Sequence, residues 1–471
     1  MLIINAELAG SRGNVRLGEK IQEVSTALTA RPGEFVLDAK GGALLPGLHD
    51  HHMHFLASAA YEESINCDDE EFKDVESFRD YVELQKGDGW IRAVNFSETV
   101  FGFLDARGTD ELVDSRPIRM QHSSGKFWVL NSLGVEALKL RDFTHLDGVE
   151  SDSRGNPTGR LFRMDDWLRN QAKFTLPDIK SYSRKLSSYG ITSFTDTSAT
   201  NNSQVQMQFK KWLKEGLIQQ KYWLMGDETI QGGPMKIVLD EDALPDIKFL
   251  LNRINIARQM DRNVAFHCTT HVELLFALAA LKDSSIEEGD RIEHGSIITD
   301  EMIKELRGLG LTVVTQPGFL WERGDRYLEQ LSDGELRHLY RCQSLIDQGV
   351  NVAVSSDAPY GPISPWDVIK HSTERLTKSG AVVGEVERIS ASTALRSYLT
   401  SKGDPAGEVR QVQVGSVADL CLLDRPLSEA LKTPYAVSVV ATLVDGSPTP
   451  VSYTHLRAHE TSLHLVCRLL L

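Results

Sequence analysis

The run PGLHDHHMH at residues 46–54 places four histidines and one aspartate within six residues, directly after an apolar stretch. If Leu44 to His54 is a β-strand that leaves a hydrophobic core, His52 and His54 lie two residues apart and project from the same face. Two imidazoles at a strand end form half of a site for a divalent transition metal. The alternative is a solvated histidine-rich loop, and further ligands at later strand ends decide between the two.

Further residues of metal-binding type stand where later apolar segments end. A single histidine at a strand end is more often a packed, hydrogen-bonded residue than a ligand, so each one alone is weak evidence. Their recurrence in order at successive segments predicts one metal centre built from several strand ends. These residues are Lys236 in GPMKIVLDE, His267 in VAFHC, His294 in RIEHG and Asp357 in SSDAP.

The elements that must position these residues alternate between short apolar strands and helical stretches. With the strand that ends at His54 there are eight strands, which predict an α/β fold with a parallel sheet closed into a (β/α)8 TIM barrel. Functional side chains of such barrels lie at the C-terminal strand ends. The later predicted strands are Ile191–Thr197, Tyr222–Met225, Met235–Asp240, Val264–Thr269, Arg291–Gly295, Leu311–Gln316 and Val350–Asp357.

Both ends of the chain are rich in predicted strands, which favours a small composite β-sandwich made of residues 1–45 and 405–449. The metal-binding barrel then spans residues 46–404. Residues 55–180 do not follow the strand–helix rhythm and are predicted to be an insertion after the first barrel strand. The last segment, 451–471, resembles the translated end of a sequencing adapter, so we expect an artefactual tail outside the site.

Charge and cysteine content limit the class of protein. The net charge of −15 argues against nucleic acid or an anionic membrane as partner, because both attract basic surfaces. The five cysteines are scattered and odd in number, which favours a reduced cytoplasm. No apolar run is long enough to span a bilayer. We therefore expect a cytoplasmic protein that binds a small-molecule substrate, with homo-oligomer formation left open.

These motifs resemble those of the amidohydrolase superfamily of metal-dependent hydrolases, over nearly the whole chain up to residue 449. PGLHDHHMH is similar to the first-strand motif of that superfamily, and VAFHC, RIEHG and SSDAP are similar to its fifth-, sixth- and eighth-strand motifs. The segments RPIRMQHSSGKFWVLNS and GVESDSRGNPTGRLF resemble the inserted region of amidohydrolase family 3, which includes N-substituted formamide deformylases. One departure is Lys126, which follows Gly125 where many members have histidine.

The resemblance implies a ligand set for one or two divalent ions, with zinc expected. His52, His54 and Asp357 would bind one ion, while His267 and His294 would bind a second. Lys236 would bridge both ions as a carboxylated lysine. If it is not carboxylated, a site for a single metal is favoured.

The ligands suggest a mechanism of hydrolysis by metal-activated water. Asp357 and His294 are the candidate catalytic residues: Asp357 would move the proton, and His294 or a second ion would polarise the carbonyl. The expected reaction is cleavage of a C–N bond in a non-peptide amide or formamide-like substrate. The candidate substrate-binding residues are His122, Gln316, Trp321 and Arg323.

Two other functions remain open from the sequence alone. A deaminase or a lactonase would activate water with the same ligands. A catalytically silent binding paralogue is the second alternative, although such proteins usually lose ligands and this chain keeps the full set.

Overall fold

The computed structural model describes most of the chain and separates it into two compact units. Unit 1 comprises Met1–Phe55 and the chain from Lys180 onward, and unit 2 comprises Leu56–Ile179. Lys126 and the segment 451–471, about which the sequence made predictions, lie outside the described residues. The described residues are 1–68, 71–85, 87–125, 127–171 and 176–449.

The strands of the described chain are, in order, β1 (Leu2–Leu8), β2 (Ser11–Leu17), β3 (Ile21–Ser25), β4 (Val36–Asp38), β5 (Leu44–Pro46), β6 (Leu48–Met53), β7 (Ile65–Asn66), β8 (Ile91–Phe96), β9 (Ile118–His122), β10 (Phe127–Leu130), β11 (Val149–Ser151), β12 (Pro157–Phe162), β13 (Ile191–Asp196), β14 (Lys221–Leu224), β15 (Met235–Val238), β16 (Val264–Cys268), β17 (Arg291–His294), β18 (Thr312–Thr315), β19 (Asn351–Val354), β20 (Leu420–Leu423), β21 (Val439–Val444) and β22 (Ser447–Pro448).

The α-helices are α1 (Phe55–Glu62), α2 (Val75–Glu83), α3 (Glu98–Phe101), α4 (Ala106–Asp110), α5 (Ser132–Ala137), α6 (Asp165–Gln171), α7 (Ile179–Ser188), α8 (Ser203–Lys214), α9 (Ile247–Gln259), α10 (His271–Lys282), α11 (Asp300–Gly308), α12 (Phe319–Gln330), α13 (Asp333–Arg337), α14 (Gln343–Asp347), α15 (Pro365–Glu374), α16 (Ala391–Leu399) and α17 (Leu427–Ala430). Short 3₁₀ helices cover Leu140–Phe143, Glu241–Ala243, Glu385–Glu387 and Pro434–Ala436. Within the described ranges, no helix combines the length and the apolar character needed to cross a membrane.

Two parallel sheets of unit 1 carry the eight strands that the sequence predicts. Their orders are β14–β13–β6 and β15–β16–β17–β18–β19. The strands alternate with helices because their outward side chains, such as Phe266 and Ile292, pack against helix residues such as Leu274 and Leu278 in one apolar core. The predicted α/β class is confirmed, and the strand ends differ from the predictions by one to three residues.

Two further sheets of unit 1 contain the strands near both chain ends; one is mixed, because β1 pairs with β4 in parallel, and the other is antiparallel. Their orders are β3–β2–β1–β4 and β22–β21–β20–β5. Residues of both sheets, including Ile3, Val15, Leu422 and Leu443, share one buried apolar cluster. The strand β3 was not predicted, because its segment IQEVS alternates too weakly between apolar and polar residues.

Gly47 lets the chain pass from an antiparallel sheet to a parallel one immediately before the histidine-rich strand. Its N–H group donates to the carbonyl of Asp419 at 2.8 Å. A Cβ atom at this position would lie 2.2 Å from Cγ2 of Thr192, which is far inside van der Waals contact. Only glycine allows this close approach, and the single strand predicted for residues 44–54 is therefore divided into β5 and β6.

Unit 2 is built on one mixed sheet with the strand order β11–β12–β10–β9–β8–β7. Alternation along β10 places Phe127 and Val129 in one buried cluster and Trp128 and Leu130 in another. The sheet therefore has an apolar core on each face within this unit.

Candidate metal centre

His52, His54 and Asp357 bring three ligand atoms together at strand ends of unit 1. Nε2 of His52 and Nε2 of His54 lie 3.4 and 3.2 Å from Oδ1 of Asp357. The three ligand atoms all lie within 4.8 Å of one another. Ligand atoms about 2.0–2.1 Å from a tetrahedral zinc ion are about 3.3 Å apart, so these separations fit a shared ion.

Backbone contacts fix Asp357 beside the histidine strand. Its N–H group donates to the carbonyl of His52 at 2.7 Å, and the N–H group of His54 donates to the carbonyl of Ala358 at 2.8 Å. Asp357 has a φ of +51° and His294 has a φ of +69°, in the left-handed region that residues with a Cβ rarely adopt. Such strain costs about 1–3 kcal/mol per residue and persists where the surrounding structure holds it, which is common at functional sites.

Buried polar atoms without a hydrogen bond identify where a cation fits. Among the described residues, Nε2 of His52, Oδ1 of Asp357 and Nζ of Lys236 are buried and make no hydrogen bond. Buried polar atoms are almost always hydrogen-bonded, because leaving one without a partner costs free energy. A nitrogen lone pair and a carboxylate oxygen that face each other without a shared proton are suited to ligating one divalent cation.

His267 and His294 extend the cluster as neutral imidazoles. The ring centroid of His294 lies 4.4 Å from that of His267 and 4.8 Å from that of His52. Burial lowers the pKa of His267 to about 3 and lowers the pKa of His294 well below its usual value. Both rings are therefore uncharged at neutral pH and keep a lone pair for a metal.

Asp357 and Lys236 have pKa values shifted in directions that suit ligands. Burial raises the pKa of Asp357, but the nearby imidazoles of His52, His54 and His294 outweigh it and hold the pKa well below its usual value. Burial lowers the pKa of Lys236 more than Glu293 and Asp357 raise it. The carboxylate is thus ionised, while the amine loses its proton more easily than an exposed lysine does.

The structure reveals supporting residues that the sequence analysis missed. Glu293 accepts a hydrogen bond from Nδ1 of His52 and pairs with Arg291. Nδ1 of His54 is hydrogen-bonded to Oγ of Ser198 at 2.9 Å. Each partner occupies the ring nitrogen that faces away from Asp357, which fixes the ring orientation. A glutamate inside the short buried strand RIEH was the available signal, since a buried charge requires a partner.

Gln316 lies beside His294 at the end of β18. Its amide nitrogen donates to the carbonyl of Val314 at 3.2 Å and to Oγ of Ser355 at 3.0 Å. Its carbonyl oxygen, 2.7 Å from Nδ1 of His294, must therefore accept a hydrogen bond from the N–H group at that nitrogen. In the neutral ring this leaves Nε2 of His294 as the lone-pair donor.

The other candidate substrate residues lie in different places. Trp321 and Arg323 lie on α12 in unit 1, where Trp321 stacks on His371 with ring centroids 5.1 Å apart. His122 belongs to unit 2, where Nε2 contacts Glu98 at 2.9 Å and Nδ1 contacts Ser124 at 2.7 Å. A substrate contact by these residues or by Gln316 stays a prediction.

Comparison with known proteins identifies the family. The sequence model of the Amidohydrolase family matches residues 36–450. The chain is 24% identical to an N-substituted formamide deformylase of Arthrobacter pascens, over 88% of this chain and 90% of that protein. Two solved structures, uncharacterized metal-dependent hydrolases from Pyrococcus horikoshii OT3 and Pyrococcus furiosus, have TM-scores of 0.71 and 0.68. The P. horikoshii structure is 17% identical, and the match covers 95% of this chain and 99% of that one. The P. furiosus structure is 18% identical, and the match covers 90% of this chain and 98% of that one.

The chain therefore belongs to the amidohydrolase family. It is a hydrolase that acts on carbon–nitrogen bonds other than peptide bonds. Members of this family bind a divalent metal such as zinc and act on small molecules.

Proposed function

We propose that this enzyme hydrolyses the C–N bond of a non-peptide amide or formamide-like small molecule with water activated at a divalent metal. The observation that carries the proposal is the convergence of His52, His54 and Asp357, each of which offers a ligand atom within 4.8 Å of the other two. The similarity to a formamide deformylase over most of both chains supports this choice of substrate.

The proposed ligands divide into two sets. His52, His54 and Asp357 would hold one ion, expected to be zinc, and His267 and His294 would contribute to a second. A bound divalent ion would supply an activated water as nucleophile and would polarise the scissile carbonyl.

Lys236 is proposed to link the two sets as a carboxylated lysine. Its buried amine has a lowered pKa and no hydrogen bond among the described residues, so the neutral form is accessible. When that amine adds carbon dioxide, a nitrogen–carbon bond forms and one proton leaves the nitrogen. The product would be an anionic carbamate, whose oxygens would serve as further ligands for divalent ions.

Asp357 and His294 have distinct roles in the proposed reaction. The ionised Asp357 would take a proton from the attacking water and give it to the departing amine as the C–N bond breaks. His294 carries its single proton on Nδ1, toward Gln316, so its Nε2 acts as a ligand rather than as a hydrogen-bond donor to the carbonyl.

The proposed architecture places all of these residues at one mouth of a (β/α)8 barrel. Backbone contacts support barrel closure at both junctions of the parallel sheets: Gly226 bridges to Met235, and Asp357 donates to the carbonyl of His52. The apolar cluster shared by the sheets β3–β2–β1–β4 and β22–β21–β20–β5 supports a composite sandwich of residues 1–45 and 405–449. In this scheme residues 55–180 are an insertion.

The test combines metal analysis with a substrate panel on the full chain. We expect close to two metal ions per chain, a carbamate mass increment at Lys236, and turnover of N-formyl or N-acyl amines. Asp357→Asn should reduce turnover by at least about a hundredfold without unfolding the protein, while the exposed control Asp347→Asn should not.

Three results would contradict the proposal. Turnover only of aminopurines or lactones would indicate that the reaction is deamination or lactone opening instead of amide hydrolysis. A metal-loaded protein without activity on any of these substrates would indicate a silent binding paralogue. One metal ion per chain and an unmodified Lys236 would show that Lys236 does not link the two sets of ligands.

A further inference from the structure

Arg323 lies in an aromatic recess formed by α12 and the segment that follows α13. Its guanidinium carbon lies 4.6 Å from the centroid of the Phe319 ring. The ring of Tyr340 packs against the same phenyl ring with centroids 5.9 Å apart. The hydroxyls of Tyr327 and Tyr340 lie 3.1 Å apart. The planar cation is therefore held by stacking and bordered by two phenols.

The aromatic residues of the recess contact two short loops that follow residues of the candidate metal centre. A Cβ atom on Gly361 would approach Cε1 of Phe319 to 3.3 Å, and the N–H group of Gly361 donates to the carbonyl of Asp357 at 3.2 Å. On the other side, the N–H group of Tyr340 donates to the carbonyl of Ser296 at 2.7 Å, two residues after His294. The aromatic residues around Arg323 therefore contact the loops that follow Asp357 and His294, the two candidate catalytic residues.

The charge of Arg323 is not neutralised by an ion pair. Other buried arginines in the described chain pair with carboxylates, as Arg291 does with Glu293, or donate to carbonyls, as Arg375 does to Val383 at 2.7 Å. Arg323 is hydrogen-bonded to the side chain of Tyr327 and has no carboxylate within 4.0 Å among the described residues. Burial lowers its pKa, but Tyr327, Tyr340 and Asp357 together raise it more, so it stays protonated.

The negative charge of Asp357 contributes to the raised pKa of Arg323. In the proposed function, the same carboxylate binds a cation. The half-buried guanidinium then lacks a counter-anion beside the centre, although the chain as a whole has a net charge of −15. A guanidinium presents a planar set of donors that matches both oxygens of a carboxylate.

We propose that Arg323 binds a carboxylate of the substrate and that the enzyme selects amides carrying a negative charge. This inference rests on the proposed function, because it assigns the substrate class of the same site. Arg323 is then a residue that determines specificity, while bond cleavage remains with the metal centre.

The test uses matched pairs of small amides that differ in charge. The probes are N-formylglycine, N-formyl-β-alanine and 4-formamidobutyrate, each paired with its neutral carboxamide. We expect the wild-type enzyme to prefer the acid of at least one pair by about tenfold or more in kcat/KM. Arg323→Met should lower kcat/KM for the acid by about tenfold more than for its neutral partner, which removes the preference, and Arg323→Lys should keep part of it. The exposed Arg326→Met, on the same helix, should match wild type.

Calorimetric titration with the same pairs separates this inference from the proposed function. Tighter binding of an acid by wild type that is lost in Arg323→Met supports the inference, even if neither member is hydrolysed. Absent hydrolysis would then count against the proposed function alone. Equal binding of acid and amide in every pair, or a preference that survives Arg323→Met in a folded protein, would overturn the inference.

Discussion

Glu293 accepts a hydrogen bond from Nδ1 of His52, on the ring edge opposite the Nε2 atom that faces Asp357. Burial raises the pKa of Glu293, but Arg291, Lys236 and His52 outweigh it, so the carboxyl stays ionised. An ionised carboxylate behind a metal-binding imidazole fixes its tautomer and increases its basicity. In the proposed site, Glu293 would therefore prepare Nε2 of His52 to bind a cation.

Glu293→Gln should weaken zinc binding by about 10–100-fold, because the amide keeps an acceptor but removes the negative charge behind His52. Competition with a chromophoric chelator measures the affinity, and thermal unfolding checks that the protein is folded. The exposed Glu288→Gln is the matched control. Unchanged zinc affinity in a folded Glu293→Gln protein would show that His52 does not depend on this carboxylate.

Gln316→Met should reduce the affinity of the second zinc ion by about tenfold, because a thioether cannot hold the proton on Nδ1 of His294 as the amide oxygen does. Gln316→Glu should retain more of the zinc affinity, since its carboxylate can also accept a hydrogen bond from Nδ1 of His294. The comparison requires metal counts per chain for the three proteins at several free zinc concentrations. Equal occupancy in all three would contradict the assigned tautomer.

The stability of the protein should depend on His371 at mildly acidic pH. Burial, with a smaller effect of Lys370, lowers the pKa of His371 to about 4. Between that value and the unfolded value of about 6.5, only the unfolded state binds this proton, so stability falls as the pH decreases. His371 alone contributes about 3 kcal/mol to this loss.

Urea unfolding at pH 7 and pH 4.5 measures the effect. His371→Phe, which keeps a ring against Trp321, should show a smaller loss of unfolding free energy than wild type. The exposed His271→Phe should lose as much as wild type. A loss in His371→Phe equal to that of wild type would assign the pH dependence to other groups.

Gly47→Ala should destabilise the protein by about 2 kcal/mol or more, because the new methyl group overlaps Thr192 and has no space to move into. Gly308→Ala, whose Cβ would have nothing within 4 Å, is the control and should not lower stability, since alanine is favoured over glycine in a helix. Denaturant unfolding compares the two. Equal midpoints would mean that β6 and β13 can separate at low cost.

The strands, and the residues of metal-binding type at their ends, could be predicted from the sequence. The two-residue period places His52 and His54 on one face, and apolar runs reveal strands such as Arg291–His294. It could not reveal that Glu293 lies behind His52, because the two residues are 241 positions apart. Nor could it reveal the positive φ of Asp357, which depends on the strands packed around it.

Zinc-edge anomalous diffraction from crystals of the full chain grown with zinc would locate a bound ion. We expect an anomalous peak about 2.0–2.2 Å from Nε2 of His52, Nε2 of His54 and a carboxylate oxygen of Asp357. Zinc bound elsewhere, or no peak within coordinating distance of these three side chains, would contradict this expectation.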